Sequence, residues 1–125
     1  MLGYITLGTN NFEKAAEFYD KLLAELGAGR FMEEDNFIAW AVSPDKPAIS
    51  ISKPFDGEQA TIGNGSMAAI VVDTPAEVDS LYNKAIELGA QDEGVAGPRG
   101  DSGFYAGYFR DMDGNKLNVF CFNTK

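Results

Sequence analysis

Any chemistry in this chain is done without histidine, because none of its 125 residues is one. That removes the commonest general base near neutral pH and the commonest ligand for zinc, iron and nickel, so a metal would need carboxylate, amide or hydroxyl oxygen. The single cysteine, Cys121, allows no intrachain disulfide and no cysteine-based zinc site. With no histidine to activate it, it reads as a buried, inert thiol rather than a nucleophile. Asp111-Met112-Asp113-Gly114-Asn115 starts like a calcium loop but lacks the later glutamate, which makes it a turn. Phe37, Trp40, Tyr105 and Tyr108 are candidates to stack on a planar ligand, with core packing as the competing reading. Arg99, after Gly97-Pro98, is placed to reach an anionic ligand; for it and Arg110 a salt bridge or a solvent-facing role is the alternative. Glu33-Glu34-Asp35 reads as a solvated hairpin tip rather than a metal site.

The charge balance narrows the partners. Ten Lys+Arg against nineteen Asp+Glu give a formal net charge of −9, and contacts to a phosphate backbone need clustered cations that this chain does not offer. Nucleic acid is therefore not an expected partner. No stretch approaches the 18 or so uninterrupted apolar residues of a membrane span, and Met1-Leu2-Gly3 lacks the basic start of a signal peptide. The expectation is a cytoplasmic protein. A 13.5 kDa chain with 45% hydrophobic residues is the size of one domain and buries enough surface to fold without disulfides.

The elements that must position these side chains come in two similar sets. Gly3 to Gly8 alternates like a strand, and Asn10-Asn11 offers a helix cap with Glu13 three residues after Asn10. Phe12, Ala15, Tyr19, Leu22 and Leu26 recur at helical spacing, widened by Ala16 and Leu23, until Gly27. Strand-like runs follow at 28–33, 37–43 and 48–53, separated by polar and proline-bearing turns. Residues 54–66 carry Pro, Gly and polar residues without a period and read as a linker. The pattern then restarts. Met67 to Val72 is a strand; Thr74-Pro75-Ala76-Glu77 is a capping box with proline at the first helical position; Val78, Leu81, Tyr82, Ala85 and Leu88 form a second stripe ending at Gly89. Strands are expected near 91–95, 104–110 and 116–122. Both helices run into Leu-Gly-Ala, at Leu26 to Ala28 and Leu88 to Ala90, so the chain is a tandem βαβββ repeat of α+β class. Module one spans about 1–53, the linker 54–66 and module two about 67–125, together one domain.

Alternation assigns the faces. Ile5/Leu7, Ile49/Ile51, Ile70/Val72 and Leu117/Val119/Cys121 point to the helices. Tyr4/Thr6, Ser50/Ser52, Met67/Ala69 and Asn118/Phe120/Phe122 point the other way. Two curled sheets would close that second face into a cupped, eight-stranded mixed sheet around a central groove, the expected ligand site.

The tandem arrangement, the segment Phe104 to Asn118 with its Asp-x-Asp-Gly-Asn turn, Gly63-Asn64-Gly65, and the Phe18-Tyr19 helix ending in Leu-Gly resemble the vicinal oxygen chelate superfamily. That superfamily takes in lactoylglutathione lyases, extradiol dioxygenases, fosfomycin-modifying enzymes and bleomycin-binding proteins. The resemblance implies a glyoxalase-like fold and, commonly, a homodimer. It also marks the metal positions. Where metal-bearing relatives carry a histidine in the first strand, a histidine or glutamine at the start of the fifth and a glutamate in the eighth, this chain has Tyr4, Met67 and Asn118; Ser50 is the fourth-strand equivalent of the last. No usual ligand remains, so no metal and no cofactor is expected.

Two functions follow from this reading. The first is a metal-independent protein of the bleomycin resistance type that holds a small, partly aromatic ligand between the modules, using Tyr4, Thr6, Trp40, Ser50, Met67, Tyr105, Tyr108 and Asn118. The second is a glyoxalase-like lyase or isomerase whose acid-base work falls to Tyr4 or to a loop carboxylate such as Asp101 or Glu93.

Overall fold

The computed structural model describes residues 1–122. In chain order it contains β1 (Tyr4–Gly8), α1 (Phe12–Ala24), β2 (Gly29–Glu34), β3 (Phe37–Ala41), β4 (Ala48–Ser52), β5 (Ala68–Val71), α2 (Pro75–Glu87), β6 (Gln91–Pro98), β7 (Phe104–Arg110) and β8 (Lys116–Phe122). This is the tandem βαβββ repeat of an α+β protein. The chain divides into two compact units, Met1–Ile62 and a second that begins at Gly63. The eight strands divide equally: one mixed sheet in the order β1-β4-β3-β2 and one in the order β5-β8-β7-β6. In each, the first and last strands of the module pair in parallel and the hairpin pairs are antiparallel. The end of the second module, residues 123–125, lies outside the described residues.

In the first unit the cap falls on Asn11, the second of the two asparagines, and its side chain accepts from the Lys14 amide. Ala15, Ala16, Phe18, Tyr19, Leu22 and Leu23 are the buried side of α1, and Gly27 turns the chain away with φ of 79°, a left-handed conformation that glycine adopts without steric cost. The first part of the expected linker is not loose. Asn10 grips Ala60 at both ends, Nδ2 donating to the Ala60 carbonyl at 3.2 Å and Oδ1 accepting from its amide at 2.8 Å, which fastens the stretch after β4 back onto the entry to α1.

In the second unit the capping box forms as the spacing predicts. Thr74 Oγ1 accepts from the Glu77 amide at 3.2 Å and donates to the Glu77 carboxylate at 3.0 Å. Val78, Leu81, Tyr82 and Ala85 are buried beneath α2, and Leu117, Val119 and Cys121 meet them from the sheet as fully buried side chains. Strand β6 is longer than its sequence suggests. Gly94, Gly97 and Pro98 look like strand breakers, but β6 is an edge strand and absorbs them as register shifts between Asp92 and Gly94 and between Gly94 and Gly97.

Candidate functional site

Strand register decides which candidate residues share a surface. In the first unit Thr6 lies opposite Ser50, which lies opposite Ala39. Tyr4, Thr6 and Ser50 therefore share the face turned away from α1, where the Tyr4 ring meets that of Phe37 edge-on with centroids 6.0 Å apart. Ser50 is nonetheless fully buried. Its Oγ donates to the Ile5 carbonyl at 2.8 Å and lies 2.9 Å from Thr6 Oγ1, a distance at which the threonine hydroxyl donates back. The serine is satisfied within its own sheet. An open cavity of about 440 Å³ lies at the end of this face, where Thr6, Gly8 and Ser52 meet Phe55, Asp56 and Gln59 of the loop that Asn10 holds.

Trp40 does not belong to that surface. It pairs with Ile49 in register, points under α1 and is 2% exposed. Its ring packs against Tyr19 at 5.7 Å and its Nε1 donates to Asp20 Oδ1 at 2.8 Å. Asp20 also accepts two bonds from Arg30, at 2.8 and 2.9 Å, and this guanidinium holds its carboxyl below the ordinary aspartate value against the opposing effect of burial. A buried indole needs a partner for its N–H; supplying one from the helix makes Trp40 a core anchor, so the expected stacking on a ligand beside Tyr4 is corrected.

Tyr105 is corrected for the same reason. In the second unit it pairs with Cys121 on the α2 side, and its hydroxyl donates to Asp79 of the helix at 2.8 Å, which raises its pKa. Tyr82 makes the matching bond from helix to sheet, donating to Asp92 at 2.7 Å. Burial first, then that carboxylate, pushes Tyr82 up to about 12. Cys121 is a buried thiol whose pKa is raised by burial and by the charges of Glu77 and Asp73, in keeping with an inert role.

The opposite face of the second sheet gathers the other candidates. Ala69 pairs with Asn118, and Asn118 pairs with Tyr108; Met67 precedes β5 in the same alternation and is exposed. Along the same face Phe104, Phe120 and Phe122 form a cluster with centroids 5.3 to 6.0 Å apart. Asn118 is 2% exposed, and its Oδ1 is the one buried side-chain polar atom without a hydrogen-bond partner among the described residues. The two modules explain this difference. Ser50 and Asn118 occupy equivalent positions on β4 and β8, and their neighbours Thr6 and Ala69 are equivalent on β1 and β5; the first module has a hydroxyl beside its polar residue and the second has a methyl.

The sequence reading passed over Phe104 and Lys116. An antiparallel register carried through the turn at 111–115 is the signal that finds them, since it sets Phe104 opposite Phe122 and Lys116 opposite Arg110. That turn is what its sequence suggests. Asp111 Oδ1 accepts from the amides of Asp113 and Asn115 at 2.9 Å each, and its Oδ2 accepts from Asn115 Nδ2 at 3.1 Å. Of the acid-base candidates, Glu93 is ion-paired to Arg110 at 3.3 Å and Asp101 is exposed in a turn.

Residues 1–119 match the family described as the Glyoxalase/Bleomycin resistance protein/Dioxygenase superfamily, and the chain belongs to it. Solved structures agree. A glyoxalase/bleomycin resistance protein from Albidiferax ferrireducens is 31% identical, superposes with a TM-score of 0.87, and the match covers 97% of this chain and 98% of that one. A glyoxalase/bleomycin resistance protein/dioxygenase family enzyme from Burkholderia phytofirmans shares the fold at 18% identity and a TM-score of 0.75, covering 96% and 97% of the two chains. A fosfomycin resistance protein from Listeria monocytogenes does so at 19% and 0.71, covering 97% and 92%. Among curated proteins none matches.

Membership raises the question of a metal, and the donor set answers it. Tyr4 offers an exposed phenol, Met67 a thioether, Asn118 a neutral amide, and Ser50 a hydroxyl already bonded within its sheet. No carboxylate, imidazole or thiolate stands at these positions, and neutral oxygen and thioether donors bind divalent transition ions weakly. Elsewhere among the described residues, no three His, Cys, Asp or Glu side chains gather where they could hold an ion. The residues do not fit the metal of this superfamily.

Proposed function

We propose that this chain is a metal-independent small-molecule-binding protein of the glyoxalase/bleomycin resistance type, and that its ligand docks on the open face of the second module. The observation that carries the reading is the orphaned Asn118 Oδ1. A buried polar atom left without a partner costs about 1–3 kcal/mol, a cost that a ligand N–H or O–H removes on docking. Further along the same face, the Phe104, Phe120 and Phe122 rings supply the apolar area that a small-molecule site needs. Acid-base catalysis by Glu93 has less support, because Arg110 already occupies that carboxylate. A homodimer in the cytoplasm completes the proposal.

Native mass spectrometry of protein purified without added metal or chelator tests it. The expected spectrum is a dimer free of transition ions, with an organic adduct that Asn118→Leu abolishes. A stoichiometric transition ion overturns metal independence. A bare protein whose stability does not respond to any member of a metabolite and drug panel overturns binding.

A further inference from the structure

Two cations converge on one ring in the second module. The Arg99 guanidinium carbon and Lys116 Nζ each lie 5.5 Å from the centroid of Tyr108. Among the described residues no carboxylate comes within ion-pair distance of either; the same holds for Lys14, Lys46 and Lys53, whereas Lys21, Arg30, Lys84 and Arg110 have such partners. What sets Arg99 and Lys116 apart is that both stand over the same ring.

Arg99 is held in place by the strand it follows. Its Nη1 donates to the Gly97 carbonyl at 2.9 Å and its Nη2 to the Val95 carbonyl at 2.8 Å. The side chain runs over glycines: a Cβ at Gly94 would stand 3.3 Å from Nη2 and one at Gly97 3.6 Å from Nη1. Carbonyl dipoles orient a guanidinium without neutralising it. Tyr108, in turn, is the cross-strand partner of Asn118, so the two cations and the unpartnered amide oxygen flank the same residue.

We infer that the ligand of this face is a small organic acid. Its anionic head sits with Arg99 and Lys116 beside Tyr108, and a hydroxyl or N–H on the adjoining carbon donates to Asn118 Oδ1. The inference rests on the binding reading above and adds the charge of the ligand. Hydrogen bonds to charged groups are about twice as strong as neutral ones. The net charge of −9 opposes an anion only weakly here, because charges beyond a Debye length of about 8 Å are screened at physiological salt.

The test is an NMR titration of the full-length ¹⁵N-labelled protein with three probes: 3-phenyllactate, its primary amide, which keeps the ring and hydroxyl but loses the charge, and inorganic phosphate. Phenyllactate is expected to bind about tenfold or more tighter than the amide, equivalent to about 1.4 kcal/mol, and to weaken as salt rises. Lys116→Met and Arg99→Met each remove most of that preference, Arg99→Lys restores part of it, and Asn118→Leu weakens acid and amide alike; retained dispersion of the spectrum shows that each variant is folded. Equal or tighter binding of the amide, still lost in Asn118→Leu, overturns the acid and leaves the binding reading intact. Phosphate binding as tightly as phenyllactate overturns the organic acid in favour of a bare anion site. No response to any probe overturns the acid, and the ligand panel described above then decides the binding reading by itself.

Discussion

Asn118 is a residue whose removal should help the free protein. Replacing the amide by a side chain of similar shape with no polar atom eliminates the unpartnered oxygen, so Asn118→Leu is expected to stabilise the unliganded chain by about 1 kcal/mol in chemical denaturation; a loss of stability would mean that the oxygen has a partner in solution. Tyr82 gives a second prediction at this scale. Its pKa is raised to about 12 in the folded chain from an unfolded value near 10, so the unfolded chain gives up its proton first. The stability it confers is whole below pH 10 and is lost as pH rises from 10 to 12. Tyr82→Phe should flatten that alkaline limb of the melting curve. Neither effect is legible from sequence. Asn118 was marked by the resemblance, as the eighth-strand metal position, but its missing partner depends on which residue stands across the strand gap, and Tyr82 looks like one more apolar position on a helix.

At the scale of elements, helix and strand meet at fixed contacts that tolerate little change. A Cβ on Gly107 would stand 2.9 Å from Tyr82 Cδ1 and 3.2 Å from the Ala96 backbone. Gly107→Ala is therefore expected to cost about 1–3 kcal/mol, read from the shift in denaturation midpoint. Asn10→Ala should release the loop after β4, giving faster amide exchange at Ala60 with little change in global stability. Most of the elements themselves were legible, because the stripe from Ala15 to Leu23 and the box at Thr74 to Glu77 are local signals. The errors came where tertiary context overrides a local rule. The edge position of β6 lets Gly94 and Pro98 stay in a strand, and register sets Trp40 and Tyr105 on the core side, where Asp20 and Asp79 of the helices satisfy them. Aromatic type says that a residue packs; only register says against what.

At the scale of the whole molecule, the excess of acid has a direction in pH. Asp20, held below the ordinary 3.8 mainly by Arg30, and Asp92, held below it mainly by the Tyr82 hydroxyl, both bind protons more readily when the chain unfolds. Their contribution is present above about pH 4 and is lost as pH falls through their lowered folded values. The double substitution Asp20→Asn, Asp92→Asn should lower stability at pH 7 and leave a shallower acid limb, measured as the change in Tm between pH 7 and pH 3. The repeat and the family were legible at this scale because they rest on order and spacing. The ligand was not, because it depends on which polar groups are left over once each sheet has satisfied its own.

The equivalence of Thr6 with Ala69 turns the first module into a donor of parts for the second. Thr6 gives Ser50 a neighbouring hydroxyl, and Ala69 stands at the same place beside Asn118. Ala69→Thr would graft that hydroxyl across the repeat and allow the chain to satisfy from within the oxygen to which the proposed ligand donates. The graft should raise the melting temperature of the free protein and abolish its affinity together, so that stability and vacancy trade against each other at one methyl group.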